Sequence, residues 1–238
     1  MKLLYAGDAA LVVELGDTID PAVNRRVHDL RRLIEQRRVA GIIETVPTYR
    51  SLLVCYDPLA TTRTALENAL EGLAAAGADT SRPPARLVEF PTAYGGEFGP
   101  DLGFVAEHAK LQVEDVIRIH SGTDYLVYMM GFTAGFPYLG GMSPTIVTPR
   151  LATPRTRIPA GSVGIAQQQT GIYPADSPGG WRIIGRTPLR IFDAARTPPV
   201  VIEAGDYVRF VPVATEEYRD VERQVENGTY PLSVRVKP

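Results

Sequence analysis

Residues 3–15 alternate apolar and polar positions about a Gly7-Asp8 turn, the period-two pattern of a strand pair with one buried face. Val23, Val27, Leu30 and Ile34 then recur at helical spacing. Asp20 stands at the N-cap, Pro21 at the first helical position, and Gly41 closes the segment. The polar side of that helix carries Arg25, Arg26, Arg31, Arg32, Arg37 and Arg38, with His28 read as facing solvent. Such a side is either a solvated face or a partner-docking surface. Two strands, 42–46 and 51–56, follow around Pro47, and a second helix runs from Thr61 to Ala76, ended by Gly77. The order β-β-α-β-β-α predicts a small α+β domain over residues 1–80.

The stretch 77–85, GADTSRPPA, is small, polar and doubly prolyl, and reads as a linker. A second domain is expected over 86–238. It starts with a strand over 86–90 and a turn-rich loop, PTAYGGEFGPDL, then helices near 101–110 and 113–120, the second with Glu114 and Asp115 in its first turn. Strands follow over 124–130 and 207–213, the latter after a turn at Glu203–Asp206, and the tail has a helical charge pattern before a strand-like LSVRV. Short strands punctuated by turns predict a closed or nearly closed β-structure.

Composition changes this picture at one place. Residues 131–190 hold ten of the 22 glycines, eight of the 20 prolines, the single tryptophan, and six arginines against one acid, Asp176, in a chain of net charge −2. The glycines and prolines are accounted for by tight barrel corners; the charge bias points further, to an anionic small molecule. Lysine is scarce, at positions 2, 110 and 237 only, and none follows a glycine-rich loop, so no Walker-type phosphate loop exists. Arginines and backbone N–H groups would have to hold any anion. The lone Cys55 lies in an apolar run and reads as a core thiol. His28, His108 and His120 lack metal-ligand spacing, so no metal site is expected. Near-neutral charge disfavours a nucleic-acid partner, and the lack of a long apolar run or leader pattern gives a cytoplasmic, non-membrane expectation.

The candidate binding constellation is Gln167, Gln168, Gln169, Tyr173, Ser177, Trp181 and Arg182, with Arg150, Arg155 and Arg157 upstream. Strand alternation puts Gln167 and Gln169 on one face, and inward amides require partners or a ligand. Trp181 offers a flat wall, and Phe132 and Phe136 add aromatic surface on a glycine-framed backbone. A structural hydrogen-bond network would use some of the same residues. His120 ends a short helix and is either a helix-end histidine or an acid-base group. The Ser162 context, AGSVG, lacks the spacing of a nucleophile elbow, and aspartates such as Asp101 read as turn formers.

The motifs GFTAGFPYL, PRLATPRTRIPAGSVGIA, QTGIYP, SPGGWRIIGRTP and GDYVRF, with GDAALVVELG and VPTYRSLLVCYDP earlier, resemble the allophanate hydrolase subunit 1 family. That family is also described as the B subunit of bacterial 5-oxoprolinase and as sporulation kinase inhibitors. It often has proline where Ala134 stands and glycine where Gln167 stands. The resemblance implies an α+β N-terminal domain followed by a mainly-β cyclophilin-like barrel. It also implies two partners, a second cyclophilin-like protein (the C subunit of the 5-oxoprolinase) and the A subunit. Together they would open 5-oxo-L-proline to L-glutamate with ATP and its accompanying magnesium. In that setting Arg155, Arg157 and Arg182 are expected to hold phosphate or carboxylate, Gln169 and Tyr173 to read the lactam, and His120 to move a proton. The alternative is a protein-binding inhibitor of a sensor histidine kinase.

Overall fold

The computed structural model describes residues 1–75 and 84–237 and divides the chain into two compact units, Met1–Pro83 and Pro84–Pro238. The segment 77–85 read as a linker lies outside the described residues, apart from Pro84 and Ala85, as does the helix terminator Gly77.

In the first unit, strands β1 (Lys2–Tyr5), β2 (Ala10–Glu14), β3 (Ile42–Pro47) and β4 (Ser51–Tyr56) form an antiparallel sheet in the order β1-β2-β4-β3. Helices α1 (Pro21–Arg37) and α2 (Arg63–Ala75) complete it. The alternation in β2 and β4 buries Leu11, Val13, Leu52 and Val54 against Val27, Leu30 and Ile34 of α1 and Leu66 and Leu70 of α2. Each such side chain contributes about 1.5–3 kcal/mol. Asp20 caps α1, its carboxylate accepting from Ala22 N at 2.7 Å and Val23 N at 3.1 Å. The helix stops earlier than expected: Arg38, not Gly41, takes the left-handed C-cap conformation, with φ 47°. His28 is buried rather than solvent-facing. The buried stripe of α1 is wider than its apolar row, because Asn24, one turn before His28, donates to Thr48 O and Tyr49 O at 3.1 Å each and draws that side of the helix onto the β3–β4 turn.

The second unit is built on β5 (Arg86–Tyr94), α3 (Leu102–Ala109), α4 (Val113–Ser121), β6 (Tyr125–Met130), β7 (Pro137–Gly140), β8 (Arg155–Ile158), β9 (Ser162–Ala166), β10 (Gln169–Ile172), β11 (Ser177–Gly179), β12 (Arg182–Arg186), β13 (Tyr207–Pro212), α5 (Thr215–Glu226) and β14 (Val234–Val236). Seven strands close into a ring, β12-β9-β10-β7-β6-β13-β5 and back to β12, with β14 added beside the start of β5. β13 and β5 run parallel and the other pairs antiparallel. β8 and β11 form a separate two-stranded ribbon. The fold class read from the sequence, an α+β unit followed by a mainly-β barrel, is the one observed. β5 is longer than the expected strand over 86–90: Pro91–Tyr94 belong to it, because Ala93 and Tyr94 pair with Arg186 and Gly185 and close the barrel. Side chains such as Phe90, Val127, Leu139, Ile165, Ile172 and Phe210 fill its core.

Candidate functional site

His120 comes from the end of α4 and is fully buried among residues of four barrel strands. Its Nδ1 lies 2.8 Å from Tyr94 Oη and its Nε2 2.8 Å from Thr170 Oγ1, while its ring packs against Tyr125 and Phe210. Thr170 Oγ1 donates its one proton to Gly164 O at 3.0 Å, so it accepts from His120 Nε2–H, and Nδ1 accepts from the Tyr94 hydroxyl. Burial lowers the His120 pKa to about 3 and pushes the Tyr94 phenol well above its ordinary value. This is a neutral imidazole locked in one tautomer inside the barrel, apart from the aromatic and arginine residues singled out with it.

A second polar centre forms around Asp101, just before α3. Its carboxylate is buried and accepts from Arg155 Nη1 at 2.8 Å, Arg155 Nη2 at 2.9 Å and Ile183 N at 2.7 Å, with Arg182 Nη1 at 3.9 Å. The Asp101 N–H donates back to Ile183 O at 2.9 Å. The preceding turn approaches β12 so closely that a Cβ on Gly99 would lie 2.0 Å from Ile184 O, which only glycine avoids. The hydrogen bond to Asp101 holds the Arg155 pKa above its ordinary value. Arg182 donates from Nε to Pro149 O at 3.3 Å, and its guanidinium lies 3.6 Å over the Phe104 ring. Arg157 is exposed and paired with Asp176, Nε to Oδ2 at 2.8 Å. The three arginines assigned to an anion are therefore each engaged within the chain, and Arg155 and Arg157 lie with different carboxylates.

The aromatic residues do come together. Phe136 is the hub, edge-to-face with Phe132, Tyr138, Tyr173 and Trp181 at ring separations of 5.7, 5.4, 5.7 and 5.6 Å. Phe136, Tyr173 and Trp181 are buried, whereas Phe132 is 71% exposed and holds a left-handed φ of 63°. A Cβ on Gly179 would reach within 2.4 Å of Tyr173 Oη, so glycine there lets β11 close over the tyrosine. Burial raises the Tyr173 pKa, opposed by the charges of Arg150 and Arg155. Ser177, half-buried, pairs with Ile158 at the edge of this cluster, and the Arg150 guanidinium stands 6.0 Å from the centre of the Trp181 ring.

The glutamines behave differently from their strand reading. Gln169 begins β10 and is half-buried, but Gln167 and Gln168 are exposed at the tip between β9 and β10. Gln167 has φ 55° and donates its N–H to Thr148 O at 2.8 Å, so strand alternation breaks at this residue and the two glutamines do not form an inward pair. The residue that sequence reasoning misses most clearly is Asp101, which resembles an ordinary turn former; only its placement opposite Ile183 reveals it. Among the described residues no group of three or more His, Cys, Asp or Glu side chains is placed to hold a metal ion, and no helix is long and apolar enough to cross a membrane.

Comparison with known proteins places this geometry in a class. The chain belongs to the family described as carboxyltransferase domain, subdomain C and D, whose family model matches residues 1–202. Within that class the similar proteins carry one name. A chain from Bacillus subtilis, named as the B subunit of 5-oxoprolinase, is 43% identical over 226 residues, covering 89% of this chain and 92% of the relative. Another of the same name from Escherichia coli O157:H7 is 40% identical over 208 residues, covering 87% and 93%. The crystal structure of the K. lactis urea amidolyase overlays 98% of this chain on 16% of its own with a TM-score of 0.80 at 24% identity, a likeness of fold alone.

Proposed function

We propose that the chain is one component of a multi-subunit 5-oxoprolinase, which opens the ring amide of 5-oxo-L-proline to L-glutamate at the expense of ATP. The near full-length match to chains named as the B subunit of 5-oxoprolinase carries this reading. The site is compatible with it: the buried Phe136, Tyr173 and Trp181 make a flat apolar wall, edged by the half-buried Gln169 and Ser177 and by Arg150. Such a wall with a few polar groups at its margin suits a small planar ring that carries an amide and an acid.

A lactam resists hydrolysis because resonance stabilises its amide, and phosphorylation of the amide oxygen converts it into an electrophile. The residues of this chain do not build a triphosphate cradle, since Arg155 and Arg157 are committed to Asp101 and Asp176. Phosphoryl transfer is therefore assigned to the complex assembled with the A and C subunits, and the role proposed for this chain is to bind and orient the lactam. His120, neutral and enclosed, has no part in moving the substrate's protons in this scheme. The test is reconstitution: this chain mixed with candidate A and C subunits should convert 5-oxoproline to glutamate with stoichiometric ATP hydrolysis, and omission of this chain should stop it. A verified three-protein assembly without turnover would overturn the proposal and redirect attention to sensor-kinase binding.

A further inference from the structure

The six arginines of residues 131–190 have unequal fates. Arg155 is forked onto Asp101, Arg157 is paired with Asp176, and Arg182 is spread over Phe104. The Arg186 guanidinium lies 5.9 Å from the Phe98 ring centre, and Arg190 lines a separate cavity of about 470 Å³ beside α5. Arg150 alone combines exposure, the absence of an acidic partner among the described residues, and a place on the aromatic site. Its backbone is pinned on both sides of Trp181. The carbonyl before it, Pro149 O, accepts from Arg182 Nε at 3.3 Å, and the amide after it, Leu151 N, donates to Gly180 O at 2.7 Å. The guanidinium is thus anchored beside the single tryptophan with its hydrogen-bond donors uncommitted.

Resting on the functional reading above, we infer that Arg150 is the specificity-determining residue that takes the carboxylate of the substrate acid, holding it against the Trp181 side of the site. A guanidinium fork matches a carboxylate in plane, and an aromatic ring at its back limits the orientations it must lose on binding. A neutral lactam lacking the acid would meet the same aromatic wall without this contact.

Steady-state kinetics of the three-protein complex test the assignment. Arg150→Ala should raise KM for 5-oxoproline by about tenfold to a hundredfold with kcat within about threefold, the size expected for loss of one charge-assisted contact. Arg150→Lys should fall between the two. The inhibition constant of 2-pyrrolidinone, which has the lactam but no carboxylate, should be the same for Arg150→Ala and wild type. Arg118→Ala, an exposed change on α4, serves as the control. An unchanged KM overturns the inference. So does an equal weakening of 5-oxoproline and 2-pyrrolidinone, or failure of Arg150→Ala to co-elute with its partners, which would make Arg150 a shaping residue or a contact to those partners. A wild-type complex without 5-oxoproline turnover overturns the functional reading and this inference together, whereas turnover indifferent to Arg150 overturns this inference alone.

Discussion

Arg155 and Asp101, 54 residues apart in sequence, meet fork to fork, with Nη1 to Oδ2 at 2.8 Å and Nη2 to Oδ1 at 2.9 Å. The same carboxylate takes the Ile183 amide, so one side chain ties the β8 ribbon, the α3 turn and the start of β12 together.

Removing Arg155 leaves a buried charge with one amide for company. Arg155→Gln should lower unfolding free energy by about 3 kcal/mol. Arg157→Gln, at an exposed pair with Asp176, should cost about 1 kcal/mol or less. Urea denaturation of the two variants gives the comparison directly; equal midpoints would refute a structural role for the Asp101 fork.

His120 makes stability depend on pH. Its folded pKa, about 3, lies below the ordinary histidine value of 6.5, so the unfolded chain takes up a proton before the folded one does. This contribution to stability is whole above pH 6.5 and is lost as pH falls from there toward 3, at roughly 1.4 kcal/mol per pH unit. Nitrogen-15 histidine NMR should show His120 as the neutral Nε2–H tautomer down to about pH 5. A protonated His120 signal in the folded protein at that pH would contradict the network with Tyr94 and Thr170.

Gln167 occupies a left-handed backbone position at an exposed turn. Gln167→Gly removes the Cβ penalty there, against some extra freedom in the unfolded chain, and should stabilise the protein by about 0.5–1 kcal/mol. A loss of stability, read from the urea midpoint, would show that the Gln167 side chain contributes more than its conformation costs.

Phe132 is strained in the same way but stands on the aromatic hub. Phe132→Gly should leave the fold at least as stable, to within about 1 kcal/mol, because so exposed a ring contributes little burial. It should nevertheless weaken 5-oxoproline turnover by the complex about tenfold or more, through loss of an aromatic contact. Unaltered turnover would remove Phe132 from the site.

Much of this is legible in the chain. Asp20-Pro21 and the Val27, Leu30, Ile34 row define α1, and the crowding of glycine and proline after Gly131 marks the barrel corners. Phe136, Tyr173 and Trp181 are recognisable as an aromatic group because they lie in one turn-rich segment. What stays hidden depends on distance in sequence. Asp101 meets Arg155 only once the barrel is closed, and Pro91–Tyr94 look like loop because their partners in β12 are far along the chain. Gln167 is misread for a local reason: a left-handed residue ends the period of two without glycine to announce it.

The closure of the barrel also sets an order of events during synthesis. β5 begins its unit, yet its pairings are with β12, β13 and β14, all beyond residue 181. The first unit can assemble from neighbouring segments as soon as it leaves the ribosome, while β5 must wait with an apolar, unpaired backbone until nearly the whole chain has emerged. Late pairing of this kind is slow and exposed to association with other chains. The second unit is therefore the one whose yield should respond to chaperones and to the rate of translation.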